Sequence, residues 1–197
     1  MHVNYITLML VNLSAGMFLL ASFLMRGMDT PRAGQWAPGF ALVGAVGLVT
    51  GLHMTLTWPV PGAYNIAFGE MTVLFSVLML VLAGALAREW NLLPIGAYAF
   101  LSGIAAIVVG IRIMHLGMTL QPTLAGLAFI ASGGIGVLAV PLHIVRGVPV
   151  LRALAMLFAV AAGVVWGLLA FTAYWSHLSE YGDYKVPGTE RPAESRT

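Results

Sequence analysis

Six apolar runs, each about the length that crosses a bilayer as a helix, fill the chain from residue 3 to residue 177. A spanning helix needs about 20 apolar residues. The runs are expected at 3–25, 38–58, 66–87, 92–118, 121–143 and 150–177. Pro59-Val60-Pro61-Gly62 stops the second run, because neither proline can continue a helix. Pro122 opens the fifth at a favoured first-turn position.

Only 8% of the 197 residues are charged, against 60% hydrophobic, with a mean hydropathy of +0.94. A soluble domain carries about 25% charged residues. So little charge cannot clothe a water-facing surface of this size. The expected fold class is therefore an all-α integral membrane protein, a bundle of six transmembrane helices with short loops. It forms one transmembrane domain, 1–178, followed by a polar tail, 179–197, expected to be disordered. No Lys or Arg precedes the first run. That run therefore reads as a retained helix and not as a cleavable signal peptide.

The net charge of +2 is small and scattered, which argues against nucleic-acid binding. The absence of cysteine excludes disulfides, thiolate metal sites and covalent c-type haem. Walker, dinucleotide-binding, GxSxG and HExxH patterns are absent too. The loop arginines set the orientation. Arg26, Arg32, Arg88, Arg146 and Arg152 fall in the loops after helices one, three and five. That end is expected to face the cytoplasm, in the inner membrane, with both termini outside.

Chemistry then reduces to a few polar residues. Glu70 and Arg112 sit inside apolar runs, where a charge is expensive and normally serves a partner or a pathway. His53, His115 and His177 fall near the same, outer end. Arg112 and His115 are three residues apart and share a helix face. Thr50, His53 and Thr57 form a stripe expected to face the bundle interior. Glu70 and Arg112 read either as a structural ion pair or as a substrate, proton or cofactor site. His53 and His115 read either as interfacial histidines or as ligands of haem b or of a metal. The GxxxG spacings Gly47/Gly51 and Gly163/Gly167 favour close helix packing.

The run from Gly51 to Glu70, with His53, Trp58-Pro59, Pro61-Gly62 and Tyr64-Asn65, resembles the signature stretch of an uncharacterised family of small polytopic bacterial and archaeal predicted membrane proteins. The resemblance implies a small polytopic membrane protein and brings no activity.

Three functions are open at this point. One is a membrane subunit of a larger, respiratory or redox assembly. It would hold haem b, quinone or lipid in an outer pocket formed by His53, Glu70, Arg112 and His115. Its partners would be the lipid bilayer, other membrane subunits or a second copy. The second is a small transporter or channel with Glu70 as its ion or proton site. The third is a structural or assembly protein without a ligand. None is a stand-alone enzyme by any motif present.

Overall fold

A computed structural model of the chain describes residues 5–145 and 148–181. The helices are α1 Ile6–Arg26, α2 Ala37–Thr57, α3 Met71–Ala87, α4 Leu93–Leu116, α5 Pro122–Ile144 and α6 Pro149–Tyr181. Among the described residues there are six helical segments long and apolar enough to cross a membrane, and no strand. A short 3-10 turn, Ala33–Trp36, leads into α2. A single π-helical turn, Asn65–Glu70, leads into α3. Prolines occupy the first turns of α2, α4 and α5, where the missing N–H costs nothing. Gly117 ends α4 in the left-handed region, at φ 60. Trp58 ends α2 there as well, at φ 47, ahead of Pro59. The sixth helix runs past residue 178 to Tyr181, while Arg146 and the tail from 182 onward lie outside the described residues.

Consecutive helices pack side by side, and α6 closes back on α1. The seams are unequal. The α4–α5 seam is the most extensive and the α3–α4 seam the thinnest of the consecutive pairs. Glycine explains the first. Gly96, Gly103 and Gly110 recur every seven residues along α4 and are all buried. A Cβ on Gly103 would lie 2.5 Å from the Gly133 carbonyl oxygen, and one on Gly110 would lie 2.6 Å from that of Gly126. The two backbones therefore touch, as small residues at a helix contact permit. On α2, Gly44, Gly47 and Gly51 lie against α3 in the same way. Gly163 and Gly167 lie against Phe18 and Ser14 of α1. Both GxxxG spacings thus sit at helix contacts.

Small residues also fill the buried face of α6. Ala155, Ala159, Ala162 and Ala170 of α6 are fully buried, with Trp166 between them at 1% exposure. Buried polar groups pin the register. Ser14 donates to the Gly163 carbonyl at 2.7 Å, and Asn12 Nδ2 donates to the Val43 carbonyl at 2.9 Å. Trp166 Nε1 donates to Ser132 Oγ at 3.1 Å, tying α6 to α5. At the arginine-bearing end, Arg152 reaches across to α1. Its Nε donates to the Leu24 carbonyl, its Nη2 to the Met28 carbonyl at 3.2 Å, and its Nη1 lies 3.6 Å from Asp29. These carbonyls are among the last of α1 and just beyond it, where a helix leaves acceptors unpaired and a partial negative charge.

Candidate functional site

The residues expected from the sequence to carry chemistry occupy one end of the bundle, but they do not converge. Glu70, Arg112, His115 and His53 are all exposed. Glu70 continues the outward face of α3 that carries Val77 and Val81. Arg112 and His115 continue the outward face of α4 that carries Leu101, Ile104 and Val108. Among the described residues, no ion pair joins Glu70 to Arg112; the pair present is that of Arg152 with Asp29. No group of three or more His, Asp or Glu able to hold a metal occurs among them either.

The stripe Thr50, His53, Thr57 does not face the interior. The glycine face of α2 takes the contact with α3 instead. The two threonines need no neighbour, since Thr50 donates to the Val46 carbonyl at 3.0 Å and Thr57 to the His53 carbonyl at 2.7 Å. Such bonding back to the helix satisfies a hydroxyl in place. His53 meets the start of α1. Its Nδ1 lies 2.7 Å from Tyr5 Oη, and the two rings stand edge-on at 5.3 Å. Burial pushes the Tyr5 hydroxyl above its usual range.

The two loops at this end are held in place. Asn65, 1% exposed, donates through Nδ2 to the carbonyls of Val60 at 2.5 Å and Gly62 at 2.9 Å. The Tyr64 hydroxyl donates to the Met118 carbonyl and so joins the α2–α3 loop to the α4–α5 loop. Between these loops and the ends of α1 and α6 lies a vestibule of about 380 Å³. Thr7, Thr119, Gln121, Ser176 and His177 are on its wall, and Leu10, Phe68 and Leu169 are apolar residues on the same wall. His177 Nδ1 lies 3.3 Å from Thr7 Oγ1.

A second cavity, of about 220 Å³, lies inside the bundle between α1, α3, α4 and α5. Met17, Leu20, Leu78, Ile95, Ala99 and Ala106 are among its walls, and it follows the thin α3–α4 seam. Its wall is almost wholly apolar, with Thr72, Ser102, Ser132, His143 and Trp166 as the side chains that can hydrogen-bond. His143 lies at its arginine-bearing end. Sequence reasoning missed this cavity, since no polar signature marks it. A hint was available in the seven-residue glycine spacing of α4, which draws that helix onto α5 and away from α3.

The model of a family described as "Protein of unknown function (DUF981)" matches residues 1–180. The chain belongs to the DUF981 family. The match extends well beyond the stretch from Gly51 to Glu70 and covers all six helices of the bundle. No curated protein and no solved structure matches the chain at a significant level. Membership in DUF981 names no activity, so the reading of this member rests on its geometry.

An aromatic partition separates the two cavities of this DUF981 protein. Phe68 lines the vestibule, while Phe129 and Trp166 line the central cavity. The Phe129 and Trp166 rings meet edge-on at 5.0 Å, and Phe68 packs on Phe129 at 5.5 Å. All three are buried. His53, Glu70, Arg112 and His115 line neither cavity.

Proposed function

We propose that this DUF981 protein is a multi-pass integral membrane protein that holds the apolar chain of a lipid or an isoprenoid-tailed molecule such as a quinone in its central cavity. The observation that carries the reading is the apolar cavity of about 220 Å³ between α1, α3, α4 and α5. Were the cavity left empty, its apolar walls would forgo the dispersion contacts that close packing supplies elsewhere, which is costly. An apolar cavity of this kind is dry, so water does not offset that cost. A hydrocarbon chain does. From Met71 to Leu82, both on its wall, α3 rises about 16 Å, a length suited to a chain lying along the helices. The thin α3–α4 seam supplies a side entrance from the bilayer. Haem b has less support, because His53 and His115 stand on exposed faces of α2 and α4 and line neither cavity. A proton or ion path through Glu70 lacks support for the same reason.

A second reading concerns partners, and the exposure of Glu70, Arg112 and His115 favours it. Charges on outward helix faces are expensive against lipid chains. Another membrane subunit, or a second copy, would cover them, in keeping with a chain that has little extramembrane surface. The expected setting is the inner membrane with the arginine-bearing end toward the cytoplasm.

Native mass spectrometry of gently extracted protein tests both readings. One bound lipid or quinone per chain is expected, together with a subunit stoichiometry above one. Ala99→Phe and Ala106→Phe, which fill the cavity, should lower ligand retention while raising the melting temperature of the delipidated protein. Protein that carries no apolar ligand, and is not stabilised by either filling substitution, overturns the lipid reading.

A further inference from the structure

We propose that the vestibule at the histidine-bearing end is a separate binding site for an uncharged molecule whose head carries hydrogen-bonding oxygens. The proposal does not depend on what occupies the central cavity, since the aromatic partition of Phe68, Phe129 and Trp166 divides the two.

The wall of the vestibule selects the chemistry. Thr7, Tyr64, Thr119, Gln121, Ser176 and His177 supply hydroxyl, amide and imidazole groups. No Asp, Glu, Lys or Arg lines it among the described residues. A charged ligand would lose its hydration there and gain no opposite charge. A neutral head with carbonyl or hydroxyl oxygens loses less and finds both donors and acceptors. Gln121, on this wall and exposed, brings an amide that can both donate and accept. Among the described residues the His177 ring is held by the 3.3 Å contact of Nδ1 with Thr7 Oγ1, which leaves its other ring nitrogen to meet a ligand. Leu10, Phe68 and Leu169 offer an apolar surface for the rest of the molecule.

The rim is formed in advance. Asn65 clamps the Val60–Gly62 turn and Tyr64 ties it to Met118 on the opposite loop. A ligand entering a site already ordered loses less of its binding energy to loop ordering. Two sources share this chemistry, a quinone ring with its two carbonyls and a neutral glycerolipid with its hydroxyls.

The test is equilibrium binding of decyl-benzoquinone and of monodecanoylglycerol to the full-length protein in detergent, with decanoate as the anionic control of equal chain length. At least one neutral probe is expected to bind saturably at one per chain, and decanoate is not. Binding of the quinone alone identifies a quinone-type head, and binding of the glycerolipid alone identifies a glycerol-type head. His177→Ala and Gln121→Ala should each weaken that binding about tenfold, the equivalent of 1.4 kcal/mol. His177→Gln, which keeps a donor and an acceptor, should recover most of it. Unchanged melting temperatures establish that the variants are folded. Ala106→Phe, in the central cavity, should leave this binding intact. Absence of saturable binding by both neutral probes, equal binding of decanoate, or wild-type affinity in both vestibule variants overturns the proposal. Loss of binding in Ala106→Phe with His177→Ala unaffected places the probe in the central cavity; the vestibule proposal then fails while the lipid reading stands.

Discussion

Arg152 shows how a single side chain takes a role that one-dimensional reading hides. In the sequence it is one of several loop arginines and counts only toward orientation. In the fold it gives two hydrogen bonds to the carbonyls of Leu24 and Met28 at the end of α1, so it fastens the last helix to the first. Bonds from a charged donor are worth about 1.5–3 kcal/mol when partly buried. Arg152→Ala should therefore lower stability by about 2 kcal/mol in a reversible detergent unfolding assay. Asp29→Ala should cost under about 0.5 kcal/mol, because Asp29 is 71% exposed and 3.6 Å from the arginine. Equal losses in the two variants would mean that the ion pair, and not the carbonyl contacts, holds the joint. Glu70 and Arg112 were legible as unusual residues, and their common end of the bundle was legible too. Their outward direction was not. Spacing along one helix places residues on a common face but does not say which face meets the neighbouring helices, and here buried glycines on α2 and α4, not the charged residues, mark the contact faces.

At the level of elements, length and hydropathy were enough to locate all six helices to within a few residues, because a bilayer-length apolar run has few other uses. Which faces meet was legible only where glycines stood four apart. The seven-residue series Gly96, Gly103, Gly110 on α4 carries the tightest seam of the fold and went unread, since a heptad of glycines is easily lost among 23. It makes a contrast that can be measured. Gly103→Ala sets a methyl 2.5 Å from the Gly133 carbonyl oxygen, where backbone must shift. It should cost about 2 kcal/mol, as overpacking does. Gly84→Ala meets only the far end of Arg88 at 3.7 Å and should gain about 0.5–1 kcal/mol from helix propensity. If both substitutions behave alike in thermal unfolding, backbone contact is not what holds α4 to α5.

Across the whole molecule, the chain divides into two sequential halves, α1–α2–α3 and α4–α5–α6. The halves meet firmly where α1 packs on α6 and loosely where α3 faces α4. The geometry is that of a book, with α1 and α6 as its spine and α3 and α4 as the free edges of its covers. The central cavity lies between the covers. Rotation about a spine of this kind is hinge motion, and it opens the free edge furthest while hardly disturbing the polar contacts of Ser14 and Arg152. Because the chain has no cysteine of its own, thiols can be placed at will. Leu78→Cys with Ala99→Cys, bridged by a short bifunctional reagent, should stop exchange of the bound chain for labelled lipid and leave the fold intact. Undiminished exchange would move the entrance elsewhere. The thin seam thus decides more than where a cavity lies. The loop from Arg88 to Leu92 is the link that joins the two halves along the chain, and its cleavage should leave them associated, held together chiefly by the spine.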